Sequence, residues 1–270
     1  MKRITLLLVV FVLLLSCKED KKEPDPVIHD TVPISEVEST GTNYPVSLNQ
    51  IFKVHGGLEA WQAMRSLSYQ ITSRTGSETH TISLMDRKAR IDSKHWSIGF
   101  DGTDVWKLER RENAYRGDPV FYYNLMFYFY AMPFVLGDEG INYEELKATE
   151  LEGEVFEAIK ISYNEGIGNS PKDEYILYYH PESYEMSWLA YTVTYEDDQP
   201  NEDWRYIKYG EWQEVNGLKL PKTLTWYTVL EGKPVQARNY RTFENVNTSE
   251  IEIEAAIFEM PEGGNKVVKE

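Results

Sequence analysis

Apolar and polar residues alternate along most of this chain. Leu67, Tyr69 and Ile71 alternate with Ser68, Gln70 and Thr72; His80, Ile82 and Leu84 repeat the pattern, as do Ala89 with Ile91 and Trp96 with Ile98 and Phe100. A period of 2 puts alternate side chains on one face of a strand, so these segments predict a meander of short antiparallel strands. Asp101-Gly102 marks a turn before Trp106. Further on, residues 155–163, 174–179, 186–195, 204–214, 218–230 and 235–243 also read as strands. Asn216-Gly217 and Glu231-Gly232 supply turns, and both residues of an Asn-Gly pair tolerate positive φ. Pro221 suits an edge or a bulge. Ten or so strands joined by short turns make a sheet large enough to curl.

Two segments break the alternation. Ser47-Leu48-Asn49-Gln50 has the form of a capping box, and Leu48, Ile51, Phe52 and His55 then share one helical face. Gly56-Gly57 interrupts before Leu58, Ala60, Trp61 and Met64 continue the helix. His55 is expected at a helix C-terminus, where a cation is favoured. The second segment runs from Gly117 to Gly137. Asp118 suits an N-cap and Pro119 the first helical position. Pro133 disfavours helix at Met132, so the helix should end near there. It is apolar almost all round, which demands burial on most sides, and too short to span a bilayer.

The expected fold class is therefore α+β, mostly β: a curved antiparallel sheet, an incomplete barrel, with an N-terminal helix and an internal helical lid. The lid is expected to cover the concave face, with Phe121, Leu125, Phe127, Phe129, Phe134 and Leu136 against apolar side chains of the sheet. Its tyrosines can keep their hydroxyls at the wet edge. Trp96 and Trp106 are expected on the groove wall. Apolarity alone does not separate a lid over a cavity from a plain core helix.

The first 16 residues carry Lys2 and Arg3, an apolar run from Ile4 to Leu15 and a small residue, the layout of a secretory signal. Leu14-Leu15-Ser16-Cys17 resembles a bacterial lipobox and contains the sole cysteine. The resemblance implies cleavage after residue 16 and acylation of Cys17, with palmitate among the expected groups. Residues 17–46 then read as the lipidated cysteine and a disordered tether, with no period and many charged, Pro, Ser and Thr positions. As a coil, 29 residues reach on the order of 30 Å. Residues 47–270 form the folded domain. Lys18-Glu19-Asp20 resembles the acidic export signal of some Gram-negative surface lipoproteins, and position 18 is not Asp, so an outer-membrane, lipid-anchored protein is expected, with the cell surface as one destination.

Losing residues 1–16 leaves 26 basic against 44 acidic residues, a net charge of −18, compared with −16 for the whole chain. Such a chain repels phosphate backbones, so no nucleic-acid partner is expected. The five histidines have no ligand spacing, and Asp101-Gly102-Thr103-Asp104 lacks the rest of a calcium loop. No nucleophile elbow, phosphate loop or dinucleotide fingerprint occurs. Glu150, Glu152, Glu154 and Glu196-Asp197-Asp198 offer carboxylates at loops and strand ends, where they are usually solvated. No metal, cofactor or catalytic residue is assigned.

The order of helix, strands, Phe100-Asp101-Gly102 with Trp106, internal lid and long meander resembles the LolA/LolB-like superfamily of periplasmic lipoprotein carriers and related lipoproteins. Phe258-Glu259-Met260-Pro261-Glu262-Gly263 is similar to the close of those domains. His55-Gly56-Gly57, Ala131-Met132-Pro133-Phe134 and Val215 to Pro221 resemble an uncharacterised lipid-anchored branch. The resemblance, over residues 47–264, implies a half-barrel with a helical lid over an acyl-accepting cavity. The family's Arg-Pro pair before the third strand is missing, and a freely diffusing carrier has no anchor, which favours a fixed module that binds a hydrophobic ligand. An alternative is a glycan- or peptide-binding surface built on Trp188, Trp204, Trp212 and Trp226.

Overall fold

The computed structural model describes residues 44–73, 76–164, 172–195 and 199–268. The leader, Cys17, nearly all of the tether and Glu196-Asp197-Asp198 lie outside them. Helices α1 (Val46–Val54) and α2 (Leu58–Ala63) precede β1 (Ser66–Ser73), β2 (Gly76–Ser83), β3 (Ala89–Ser93), β4 (Trp96–Phe100) and β5 (Val105–Glu109). Helix α3 (Pro119–Tyr130) follows, then β6 (Ile141–Leu151), β7 (Glu154–Tyr163), β8 (Tyr175–Tyr179), β9 (Met186–Tyr191), β10 (Arg205–Val215), β11 (Leu218–Leu230), β12 (Lys233–Ser249) and the two-residue β13 (Asn265–Lys266).

The thirteen strands among the described residues form one open antiparallel sheet in the order β13-β5-β4-β3-β2-β1-β12-β11-β10-β9-β8-β7-β6. Two meanders meet at a single seam. The first half of β12 pairs with β11, and its second half pairs with β1, with Phe243 opposite Ile71 and Ser249 opposite Ser66. Helix α3 connects β5 near one end of the sheet to β6 at the other, so it crosses the concave face.

Alternation sets which residues face inward. Ile159 and Ile161, Leu177, Leu189, Ile207 and Tyr209, Leu224 and Phe243 join α3 in the main core. Their neighbours Phe156, Ala158, Tyr178, Trp188, Ala190 and Tyr206 pack as a second apolar cluster on the opposite face. At the seam, the Phe243 ring lies 5.2 Å from Tyr69 and 4.3 Å from Tyr130 of α3.

The predicted turns are present. Asn216 and Gly217 have φ of 50° and 80°, and Glu231 and Gly232 have 51° and 75°. Asp101 Oδ1 accepts from the Thr103 and Asp104 amides, which makes the β4–β5 corner an Asx turn. Strand β6 was not predicted. It is an edge strand whose pairing shifts between Leu146 and Thr149, and that irregularity breaks the period of 2. The capping box is also absent: Pro45 is the N-cap, and Ser47, inside the helix, donates to Glu145 Oε1 at 2.8 Å.

The C-terminus of α1 packs on the β10–β11 turn. Lys219 N donates to His55 O at 2.8 Å. Gly56 has φ of +110°, and a Cβ there would meet Gly217 O at 2.3 Å, so both the backbone angle and the approach require glycine. His55 stands at the helix C-terminus as expected, but not as a cation. Its ring is fully buried edge-on to Trp212 at 4.7 Å, and Nδ1 lies 2.8 Å from Ile51 O. Burial pushes its pKa down to about 4, against the upward pull of the Ile51 carbonyl.

Between pH 6.5 and about 4, the unfolded chain binds a proton at His55 that the folded chain does not. Stability should therefore fall as pH drops through that window, by up to about 3 kcal/mol from this residue. Urea unfolding across pH 4–7 should show a shallower slope for His55→Asn than for wild type; equal slopes would refute the assignment.

Candidate functional site

Helix α3 is held at both ends. Asp118 caps its start, with Oδ1 accepting from Val120 N at 2.8 Å and Pro119 entering at the first turn. At its end, carbonyls left without helical partners are taken by tyrosine hydroxyls. Tyr209 of β10 donates to Phe129 O at 2.6 Å. Past the helix, Tyr143 donates to Leu136 O and Tyr44 to Gly137 O. Three of the helix's own tyrosines, Tyr122, Tyr123 and Tyr128, are half-buried, and the fourth is not at a wet edge. Tyr122 donates to Glu78 Oε2, Tyr128 bonds Tyr163, and Tyr130 is fully buried.

A cavity of about 260 Å³ lies between the first part of α3 and the sheet. On the helix side it is lined by Phe121, Tyr122, Leu125, Met126 and Phe129. On the sheet side, Tyr175, Tyr191, Val193 and Trp226 form the wall. Phe129 bridges the two, 4.8 Å from the Tyr191 ring and 6.1 Å from Trp226. Trp226 Nε1 donates to the Tyr191 hydroxyl at 3.2 Å, so the indole N–H finds its partner within this aromatic wall. The mouth carries Arg205, Arg238, Asn239 and Arg241. Asp173 also borders it; burial raises its pKa, opposed by hydrogen bonds from Thr194 N at 2.6 Å and Thr194 Oγ1 at 2.7 Å.

The residues predicted for the lid divide. Phe121, Leu125 and Phe129 line the cavity. Phe127, Phe134 and Leu136 are buried in core. Arg87 lies over the Phe127 ring at 5.0 Å, and Phe134 stacks on Trp61 at 4.9 Å. Trp96 packs edge-on to Tyr115 at 4.7 Å. Trp106 is buried near the other end of the sheet, where Nε1 donates to Phe258 O at 2.8 Å, so this indole secures the C-terminal segment. Of the tryptophans considered for a stacking surface, Trp188 is buried, Trp204 and Trp212 are half-buried and Trp226 faces the cavity.

The three arginines were not predicted. A signal existed: Arg238-Asn239-Tyr240-Arg241 and Arg205 are basic in strands of an acidic chain. Their convergence depends on pairing. Arg205 lies opposite Tyr191, and Asn239 opposite Trp226.

One titratable cluster adjoins the cavity wall. Glu78 Oε2 is 2.7 Å from the Tyr122 hydroxyl and 3.4 Å from His80 Nε2. Burial raises the Glu78 carboxyl, but its bonds with His80 and Tyr122 outweigh that and leave it below the ordinary range. Burial lowers the pKa of His80. Among the described residues, no group of three or more His, Cys, Asp or Glu is placed to hold a metal ion, and no helix is long and apolar enough to cross a membrane.

Residues 110–253, more than half of the chain, match a family of unknown function, DUF6503. The chain belongs to that family. The matched span contains α3 and every residue lining the cavity. No curated protein matches the chain. Among solved structures it is similar to a DUF1329 family protein from Desulfovibrio piger, at 10% identity and a TM-score of 0.47, covering 79% of this chain and 97% of that one. It is also similar to a LolA superfamily protein from Nitrosomonas europaea, at 6% identity and a TM-score of 0.44, covering 80% and 98%. A putative outer membrane lipoprotein-sorting protein domain from Vibrio parahaemolyticus gives 10% identity and a TM-score of 0.31, covering 76% and 97%. At these values nothing about a ligand passes from those proteins to this DUF6503 chain.

Tyr209→Phe removes the hydroxyl that satisfies Phe129 O and leaves a buried carbonyl unpaired. It should lower unfolding free energy by about 1–3 kcal/mol, measured by urea denaturation at pH 7. A change within error would mean that the helix end is solvated by other means.

Proposed function

We propose that this protein holds a hydrophobic or lipid-like ligand between α3 and the concave face of its sheet, while a lipid on Cys17 anchors it to the outer membrane. The observation that carries the ligand reading is the cavity itself. Side chains of Phe121, Leu125, Met126 and Phe129 form one wall, and Tyr175, Tyr191 and Trp226 the other. A helix packed solidly along its whole length would leave no such space. Here Phe127 and Tyr130 are sealed into the core while Phe121, Leu125 and Phe129 face the space. The volume of about 260 Å³ lies just below the range of about 300–1,000 Å³ common for small-molecule pockets, which suits one chain or a small ring system.

The leader supports the anchor. Its apolar run is short, and Cys17 directly follows a small residue. A tether of this composition would hold the domain off the lipid while letting it pivot. The acidic residues after Cys17 support export to the outer face.

The probe N-phenyl-1-naphthylamine, uncharged and fluorescent in apolar surroundings, should bind the mature chain carrying Cys17→Ser. Leu125→Trp, which fills the cavity, should weaken that binding about tenfold or more. Equal binding by the filled variant, with its fold retained by circular dichroism, would overturn the cavity assignment. In cells, Cys17→Ser should abolish labelling by radioactive palmitate and release the protein from membranes. Retained labelling would refute the anchor.

A further inference from the structure

We propose that the ligand is an anionic amphiphile, with its apolar part in the cavity and a carboxylate or phosphate head held by Arg205, Arg238 and Arg241. This rests on the hydrophobic-ligand reading and adds the charge of the ligand and the groups that read it.

The chain carries a net charge of −16, so on average it repels anions. Three guanidinium groups nevertheless meet at one cavity mouth. Arg87, Arg90 and Arg110 each have a carboxylate within 4 Å, at Asp138, Asp92 and Asp92. None of the three mouth arginines has such an ion pair among the described residues. Asp173 feels the charge of Arg205 and Glu78 that of Arg241, but neither acid pairs with them within 4 Å, and both have closer hydrogen-bond partners. Asp173 accepts both the amide and the hydroxyl of Thr194, and Glu78 accepts the Tyr122 hydroxyl.

The backbone brings these cations together. Counting back from Phe243 by twos puts Arg241 and Asn239 on the concave side of β12. Register shifts between Trp226 and Tyr227, which pair with Asn239 and Ala237, so Arg238 is the extra residue of a β-bulge. A bulge re-aims a side chain, and here it brings Arg238 to the mouth beside Arg241. Arg205 enters from β10, on the same face as Ile207 and Tyr209. Arginine presents a planar fork of donors that matches carboxylate and phosphate oxygens. Arg205 and Arg238 are exposed, so a bound head would sit at the water boundary while its apolar part lies against Phe121, Leu125 and Trp226.

The experiment is displacement of N-phenyl-1-naphthylamine from the Cys17→Ser chain by hexadecanoate and by uncharged hexadecanol, which share a chain length. Hexadecanoate should compete at least about tenfold better, the difference one charge-assisted pair supplies. High salt should shrink that advantage. The triple variant Arg205→Gln, Arg238→Gln, Arg241→Gln should lose the preference while binding the uncharged probe within about twofold of wild type. Equal competition by acid and alcohol in wild type, or a preference that survives in the triple variant, would overturn the proposal. Displacement of hexadecanoate by millimolar inorganic phosphate, with no requirement for a chain, would assign the mouth to a free anion instead. If the uncharged probe itself fails to bind, the hydrophobic-ligand reading and this one fall together; if it binds and only the preference is missing, the cavity stands and the charge assignment alone falls.

Discussion

A twelve-residue helix with no polar face must be shielded from water, and this one is the link between the two far ends of the sheet. Those facts constrain the rest. The helix cannot lie on the outside, because its burial demands an apolar surface on nearly every side. It cannot lie along one edge, because β5 and β6 are far apart in strand order. The remaining path crosses the concave face. The sheet is therefore free to stay open, since the helix fills the space that closure into a barrel would otherwise fill with strand side chains.

Burial of helix ends creates a second demand, for hydrogen-bond donors near carbonyls that no longer reach water. Tyrosine meets it here. Its ring adds to the apolar wall, and its hydroxyl reaches a main-chain oxygen, as Tyr209 does for Phe129 and Tyr143 for Leu136. The same economy appears in the cavity, where the Tyr191 hydroxyl serves Trp226. A wall of Leu and Ile would have left these oxygens and the indole unpaired.

Local signals in the sequence were strong where a single strand or turn decided the outcome. The alternation around Ile82 and Ile98, the Asn216-Gly217 turn and the Asp118-Pro119 helix start all depend on near neighbours. Features set by pairing at a distance were not legible. The edge strand β6 is hidden by its own irregularity near Leu146. Ser47 looked like a cap, yet its hydroxyl serves Glu145, 98 residues away. His55 was read as a helix end that favours a cation, but packing against the β10–β11 hairpin buries it neutral. The helix face that lines the cavity was half visible: Phe121, Leu125 and Phe129 were named from apolarity, but separating them from Phe127 needed the partners across the gap. The arginine mouth depends on an unpaired residue in β12, which no periodicity encodes.

Strand β12 has a consequence for how the chain reaches this state. Among the described residues it is the only strand that joins the two meanders, and its pairing with β1 places Ser66 against Ser249. That contact closes a loop of more than 180 residues, among the costliest in conformational entropy that this chain can make. The amino-terminal strands can form hairpins early, but β1 keeps a bare edge until residues near 249 have been synthesised. Folding should therefore be slow and late, because long-range strand pairing lengthens the search. Such delay means that the domain cannot lock before its last long strand has been made.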